Sequence, residues 1–515
     1  MPASTGLASG PPGDQAARDV MAALAAQGVD ARRVTADSRA VRRGDVFVAY
    51  PGVTTDGRRF VRQAIAAGAA AVLWESDGAA WTDIAGAASS TPNVPVSGLR
   101  RLSGPIASLV LGEPSRHLWM VGVTGTNGKT STTQWIAQAF TAAGRRCAVI
   151  GTLGAGFPGA LEITANTTPE ATALQECLAS LRRQGAEAVA MEVSSIGLDQ
   201  GRTDGVAFRC AVLTNVTRDH LDYHGSMEQY ARAKARLFEQ PSLTHVVVNI
   251  DDSFSAAVIA AAKAGGARII GYTLEDRPAA VAGLDEVLRA AAIDHRAGVV
   301  RFDVCGSEGR YAVAAAAAGR FNVANLLAVI GVLHAGGLTL ERAAALAGGL
   351  GPVAGRMEPL GGDGRPLVFV DYAHTPDALE KVLGAAREAA RSRGGRLFAV
   401  FGCGGDRDRG KRPLMGRIGS AGADRVVLTS DNPRSEPAES ILDDIVAGIP
   451  PEELARVQRE ADRGRAIAAA IRSAAAADVV LIAGKGHEPY QEIAGVKRPF
   501  SDAGEARREL ARWRG

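Results

Sequence analysis

One junction constrains the fold of this chain more than any other. The apolar run Leu118–Thr124 passes directly into Gly125-Thr-Asn-Gly-Lys-Thr-Ser131, and a helical pattern follows as far as Gly144. A strand, a glycine turn and a helix in that order aim backbone N–H groups and a helix N-terminus at a polyanion. Lys129 is then placed to reach β- and γ-phosphates, and the Thr130 hydroxyl to hold Mg²⁺. Such a junction requires a buried sheet beneath it, so an α/β architecture is predicted. The spacing departs from the general phosphate-loop pattern, which puts a glycine where Val123 stands.

The same texture recurs along the chain. Cys147–Ile150, Ala188–Val193, Cys210–Val216 and His245–Ile250 are short apolar runs separated by helical patterns. They predict a mostly parallel sheet covered on both faces. After Pro352 the alternation restarts with Leu367–Val370, Leu397–Phe401, Val426–Leu428 and Val479–Ile482, and Pro376–Arg393 reads as an amphipathic helix. That is a second doubly wound unit. Towards the start, Asp45–Tyr50 and Ala70–Trp74 lie between Gly- and Asp-bearing turns, as in a small α/β module. Turn chemistry at Leu111-Gly-Glu-Pro114 and Leu350-Gly-Pro-Val353 marks the linkers. At ~100–200 residues per domain, a chain of this length accommodates three such units. They are expected at residues 19–112, 113–351 and 352–515, after a Pro/Gly/Ser-rich leader, 1–18, expected to be disordered.

Composition removes several classes. Hydrophobic residues are 46% and charged residues 22%, the balance of a soluble protein with real cores. Lys and Arg exceed Asp and Glu by only three, so no nucleic-acid partner is expected. No apolar run approaches the ~18–20 residues of a membrane span, and the first twenty residues lack a secretory signal pattern. The five cysteines are scattered with no C-x-x-C pair, which fits reduced thiols in a cytoplasmic protein and neither a disulfide framework nor a zinc knuckle.

Other motifs stand in a definite order. Thr124–Thr130 resembles the phosphate loop of the Mur ligase family, which makes cell-wall peptides and has folylpolyglutamate synthase among its relatives. Asp37-Ser-Arg39, Asn166-Thr-Thr168, Met191-Glu-Val-Ser-Ser195, Asn215-Val-Thr-Arg-Asp-His220, Gly319-Arg-Phe-Asn-Val-Ala-Asn325, Asp371-Tyr-Ala-His-Thr-Pro376, Gly404-Gly-Asp-Arg407, Asp431-Asn-Pro-Arg434 and Gly484-Lys-Gly-His-Glu488 agree with that family and follow its order. The resemblance spans Asp37 to Glu488. It implies a small N-terminal α/β nucleotide-sugar domain, a central ATPase-type parallel sheet and a C-terminal Rossmann-like domain.

The resemblance also implies roles. Gly125, Thr126, Asn127, Gly128, Lys129, Thr130 and Ser131 would bind ATP with Asn322, Asn325, Arg356 and Asp371. Lys129, Lys234, His220 and His374 would be catalytic. Mg²⁺ would be held by Thr130, Glu192, His220 and Lys234, the lysine as a carbamate formed with CO₂. From the residues alone, Glu192 reads as a solvated strand-end carboxylate and Lys234 as an exposed helix lysine. Asn322 and Asn325, three apart, would equally suit capping or interhelical bonding. His220 and His224 are spaced like a zinc pair, but no third ligand accompanies them.

The substrates follow the same logic. Ser38, Thr54, Thr55, Asn166, Thr167, Thr168, Ser194, Gln200 and Arg202 would bind UDP-MurNAc-L-Ala-D-Glu. Ile196 stands where members commonly have His. Arg407, Asp431, Asn432, Pro433, Arg434, Gly484 and Glu488 would bind meso-diaminopimelate, whose extra amino-carboxylate head needs both signs of charge. Read alone, Asp-Asn-Pro-Arg is a turn, and the Ser435-Glu-Pro437 continuation is one residue short of the usual pattern. The implied reaction is ATP-driven amide ligation through an acyl phosphate in peptidoglycan synthesis, by a monomer. A GTPase-like switch is the rival class, and it requires an Asn-Lys-x-Asp guanine reader; the chain has no Asn-Lys dipeptide. A sister ligase adding lysine, or glutamate to folate, is the other alternative, and Asp-Asn-Pro-Arg speaks against both.

Overall fold

The computed structural model describes residues 12–515 apart from 54, 87–88, 277–280 and 297. Three α/β units follow one another along the chain. The first has four parallel strands in the order Val34–Thr35, Val46–Ala49, Ala71–Glu75, Asn93–Val96. Each side of this sheet carries its own apolar cluster. A helix, Pro12–Ala26, packs on it through Ala17, Val20 and Leu24. This corrects the expected leader from residue 12 onward. The apolar positions lie three to four apart, so one helix face is buried despite the polar composition around it.

The central sheet has eleven strands. Seven run parallel, in the order Glu286–Arg296, Arg268–Thr273, His245–Asn249, Cys210–Leu213, Trp119–Thr124, Ala188–Glu192, Cys147–Gly151. Buried apolar residues on alternate positions serve opposite faces. Val121, Val149, Val212 and Val247 pack with Trp135, Phe140, Leu326 and Leu333 from helices Lys129–Ala142 and Arg320–Ala335. Met120, Ile150 and Val248 pack with Leu174, Leu178 and Val258 from helices Ala171–Arg183 and Ser255–Ala264.

Antiparallel strands extend this sheet at both edges, Val299–Gly306 and Gly309–Ala315 on one side, Gly154–Phe157 and Ala160–Glu162 on the other. These additions are absent from the sequence reading, because their strands alternate buried and exposed positions or are mostly exposed.

The third sheet runs Glu358–Gly361, Leu367–Asp371, Val479–Ala483, Leu397–Phe401, Arg425–Leu428, Val457–Arg459, parallel except for its first strand. A hairpin, Tyr490–Ile493 with Val496–Pro499, follows its last central strand. The helix Pro376–Arg393 matches its predicted bounds; Thr375 caps it by accepting from the Ala378 N–H, with Pro376 at the first turn. Gly351 joins the second and third units. Its carbonyl accepts from Trp135 Nε1 and its N–H donates to Gln138 Oε1, both at 2.9 Å, on the helix that the phosphate loop opens. Among the described residues no helix is long and apolar enough to cross a membrane.

Candidate active site

The phosphate loop sits at the carboxyl end of Trp119–Thr124, flanked by the ends of Cys210–Leu213 and Ala188–Glu192. Doubly wound sheets bind ligands along that edge. Two glycines are required by contact. A Cβ on Gly125 (φ +149°) would press into Thr214 Oγ1, and one on Gly128 (φ +86°) into Asn325 Oδ1. The loop is held from below by residues that sequence reasoning left without a role. Thr214 Oγ1 donates to the Asn127 carbonyl (2.6 Å), Asn215 Oδ1 accepts from the Asn127 N–H (3.0 Å), and Thr126 Oγ1 accepts from the Thr217 N–H (2.9 Å). Lys129 Nζ folds over the loop and donates to the Gly125 and Thr126 carbonyls, both at 2.9 Å. Burial holds this ammonium below the usual lysine range, with Glu192 and Asp219 pulling the other way.

Glu192 is buried, not solvated. Its carboxylate accepts from Thr130 Oγ1 at 3.1 Å, from the Thr152 N–H at 2.8 Å and from Thr152 Oγ1 at 3.1 Å. Thr130 and Glu192 are hard oxygen donors held side by side, a set that suits Mg²⁺. Lys234 is buried too, with 1% of its surface exposed, which corrects the reading of an exposed helix lysine. Its Nζ donates to the Gly125 carbonyl at 2.9 Å and lies 4.5 Å from the Tyr230 ring centroid. Burial, then the neighbouring charge of Lys129, pushes its pKa well below the ordinary value. His220 also lies near Tyr230, ring centroids 6.3 Å apart, in a left-handed backbone conformation (φ +51°). His224 is turned away to Ser195 Oγ at 3.0 Å, so the two histidines do not act as one ligand pair.

The third unit closes over this loop. Arg356 Nη2 donates to Thr130 Oγ1 at 3.0 Å and its guanidinium stacks 4.7 Å above Tyr372. Asp371 is buried and accepts from the Met357 and Ala373 N–H groups at 2.7 and 2.8 Å; burial raises its pKa. His374 is exposed, its Nδ1 2.9 Å from the Tyr372 carbonyl. Asn322 and Asn325 are buried behind the loop; Asn325 donates to Asn322, which donates to the Ala318 carbonyl. Ser131 is buried on the loop's helix. The sequence reading missed Asp377. Its Oδ2 accepts from Asn127 Nδ2 at 3.1 Å and Thr217 Oγ1 at 3.2 Å, so the first turn of helix Pro376–Arg393 is latched to the phosphate loop.

The residues expected to bind the sugar-peptide fall into two groups. Ser38 and Thr55 lie on the first unit, where Ser38 Oγ is 3.3 Å from Gln63 Oε1; Thr54 lies outside the described residues. Asn166 is exposed, and Thr167 Oγ1 is 3.2 Å from Thr152 Oγ1. Thr168 is fully buried and pins the strand end, donating to the Glu192 carbonyl and accepting from the Ser194 N–H. Ser194 Oγ caps the helix Ser195–Asp199. Arg202 donates to Gln200 Oε1 and the Thr168 carbonyl. The first unit docks beside this group through Tyr50 Oη to Glu170 (2.9 Å) and Arg33 to Glu176 (2.7 Å).

The remaining candidates converge where the third sheet's parallel strands end. Asn432 Nδ2 donates to Glu488 Oε2 at 2.9 Å. Arg434, at φ +51°, donates to the Gly405 carbonyl and lies 3.6 Å from Glu492. Pro433 packs its carbonyl against Gly405, and Asp431 lies against Gly484 (φ +120°). Arg407 is exposed at the rim. Glu436, in the shortened continuation, is a hub: hydrogen bonds from Arg412, the Asp406 N–H and Arg409 hold its carboxyl well below the usual range. A path of contacts joins the two halves of the site. It runs from Thr130 through Arg356 and Tyr372 to His487, whose ring centroid is 5.4 Å from that of Tyr372 and whose chain neighbour is Glu488. Burial lowers the His487 pKa to about 4, so that ring is neutral.

Comparison with known proteins accounts for this arrangement. Residues 30–113 match the Mur ligase family catalytic domain, 123–333 the Mur ligase middle domain and 355–486 the Mur ligase glutamate ligase domain. A protein of Chromobacterium violaceum named UDP-N-acetylmuramoyl-L-alanyl-D-glutamate–2,6-diaminopimelate ligase is 50% identical over 496 residues, covering 94% of this chain and 95% of its own length. The chain belongs to the Mur ligase family. A Ralstonia nicotianae protein of the same name is 51% identical over 484 residues, covering 93% of each chain. A solved Mur ligase structure with that name is 38% identical, with a TM-score of 0.68 over 94% of this chain and 95% of its own. The MurF ligase of Thermotoga maritima, solved in complex with ADP, shares the Mur ligase fold at 19% identity and a TM-score of 0.63, covering 94% of this chain and 99% of its own.

Proposed function

We propose that this chain uses ATP to join meso-diaminopimelate to the D-glutamyl γ-carboxylate of UDP-MurNAc-L-Ala-D-Glu, in the cytoplasm and in peptidoglycan synthesis. The single observation that carries the reading is the contact path from Thr130 to Glu488. It links the glycine-rich loop to the charged side chains beside Glu488, which supports a phosphate seat and an amino-acid pocket acting together. The γ-carboxylate oxygen attacks the γ-phosphorus, the bond to the β–γ bridging oxygen breaks, and ADP leaves an acyl phosphate. The amine of diaminopimelate then attacks the acyl carbon, phosphate departs with the C–O bond electrons, and the amine proton is released. Lys129 and the loop N–H groups stabilise charge on the transferring phosphoryl group; positioning does the rest. Thr130 and Glu192 would hold one Mg²⁺, and Lys234 as its carbamate with His220 another; when bound, these ions offset the phosphates' charge. The expected domains share the work: the sugar-peptide is held by 19–112 together with residues 166–202 of the next unit, ATP by 113–351 with Arg356 and Asp371 from the third, and the amino acid by 352–515.

The deciding experiment measures ADP release with the UDP-dipeptide and a panel of amino acids. Diaminopimelate should be consumed, and lysine and glutamate should not. If one of the other two is preferred, the reading fails. Within it, Arg434 selects the far carboxylate, which lysine lacks. Losing such a charged contact costs about 1.5–3 kcal/mol, roughly 10- to 150-fold. Arg434→Ala should lower kcat/KM for diaminopimelate by that factor while the KM for ATP stays unchanged. An unmoved ratio of diaminopimelate to lysine turnover would reduce Arg434 to a turn residue. A smaller effect is expected at the latch. Asp377→Ala should lower kcat/KM for ATP about 5- to 30-fold, as a partly exposed charged hydrogen bond is removed, with an unchanged melting profile. Normal ATP dependence in that variant would mean the Asn127 contact plays no part in turnover.

A further inference from the structure

Lys485 has no role in the reading above, yet it is one of the most deeply buried charges in the chain. None of its surface is exposed. Its Nζ donates to Asn432 Oδ1 at 2.9 Å and to Glu488 Oε2 at 2.8 Å, lies 3.9 Å from Asp431 Oδ1, and sits 5.6 Å from the Tyr490 ring centroid. An ammonium withdrawn from water this completely persists only where partners compensate it.

We propose that Lys485 is the positioning residue of the amine pocket, orienting Asn432 and Glu488 and leaving the pocket with one unmatched negative charge for the substrate's ammonium. This rests on the reading under Proposed function and deepens it.

The hydrogen bonds fix the orientation. Asn432 Oδ1 accepts from Lys485 and also from the Glu492 N–H at 2.9 Å, so both of its lone-pair directions are used. Its amide nitrogen is thereby turned to Glu488. Glu488 Oε2 takes two donors, and Oε1 is left to accept from substrate. Burial pushes the Glu488 carboxyl up, but the hydrogen bond and charge of Lys485 more than offset it and keep it ionised.

The charge count is equally simple. Asp431 and Glu488 are two carboxylates and Lys485 is one cation. The nearest other buried cation, Arg463, is already matched by Asp502, with both side chains fully buried at 2.7 Å. Glu492, whose N–H reaches Asn432, has Arg434 at 3.6 Å to offset it, so one negative charge remains, enough for one ammonium. Arg434 and Arg407, side by side against Gly404, would serve the carboxylate. Removing the lysine would leave the charges of Asp431 and Glu488 without their shared cation and take from Asn432 Oδ1 one of its two donors.

The test uses full-length Lys485→Met, which keeps the volume, and Lys485→Ala, which leaves a hole. ADP release is followed with diaminopimelate varied, then with ATP varied. The KM for diaminopimelate should rise roughly 10- to 100-fold in both variants, with the KM for ATP within about twofold of wild type. Ethylammonium in the buffer should restore Lys485→Ala at least about fivefold, and propanol of similar size should not, because charge and not volume is missing. A KM for diaminopimelate within about twofold of wild type in Lys485→Met overturns the proposal. So does a parallel rise in both KM values, equal rescue by propanol, or loss of cooperative melting in both variants, each of which makes Lys485 a scaffold residue. Failure of the underlying reading looks different, since wild type itself would then refuse diaminopimelate.

Discussion

Lys129→Ala is expected to reduce amino-acid-dependent ADP release at least about 10³-fold with the fold intact. The side chain spans its own loop and ends on the Gly125 and Thr126 carbonyls, above the seat that Thr130 and Glu192 form. On the proposed reading, truncation removes a cation from the point where phosphoryl charge would develop. A second lysine, Lys234, is buried behind the Gly125 carbonyl. The fold should survive, because the loop is braced by Thr214, Asn215 and Thr217 independently of Lys129. The check is turnover at saturating ATP beside a melting profile. Near-normal turnover with an unchanged profile would remove the phosphate-loop assignment.

Lys234→Ala is expected to be almost as inactive, and for a different reason. Burial and the neighbouring charge of Lys129 push the pKa of this amine well down, which favours its neutral form. The neutral form is the nucleophile that adds CO₂: the nitrogen lone pair attacks carbon, one N–H proton leaves, and a neutral amine becomes a carbamate anion. The charge of Lys129, which disfavours an ammonium at Lys234, would favour the carbamate anion. Acetate or propionate in the buffer should therefore restore part of the activity of Lys234→Ala by supplying the missing carboxylate. Lys234→Arg should stay inactive, because a guanidinium remains charged and forms no stable carbamate. Wild-type activity should fall in CO₂-stripped buffer and return with bicarbonate. Full activity in Lys234→Ala, or indifference of wild type to bicarbonate, would eliminate the carbamate.

Much of the architecture was legible where burial is two-sided. Leu397–Phe401 is apolar at every position because the sheet is covered on both faces, and it emerged with its predicted bounds. The hairpin strands Val299–Gly306 and Gly309–Ala315 were not legible, since Arg301, Asp303 and Arg310 interrupt their pattern on the open face. In the site, the glycine loop and the strand-end motifs were visible because they are local. Asp377 was not: its partner Asn127 is 250 residues away, and a lone aspartate at a helix start reads as an ordinary favourable charge. Lys485 stood inside a noticed motif, yet nothing in the string marks a lysine as fully buried. Glu192 and Lys234 show the same gap in reverse, as residues whose bland reading fails only because the tertiary fold encloses them.

The two bonds that tether Gly351 have a mechanical meaning. They make the phosphate-loop helix the fulcrum of the third unit. A lever pinned there would swing with little translation at its base, and any torsion between the second and third units would fall on the few residues after Gly351. The arc ends at Arg356, the side chain that touches Thr130. A rotation of a few degrees at such a pin displaces each group in proportion to its distance, so Arg356 beside the phosphate seat would shift little while the distant rim where Arg407 lies would sweep furthest.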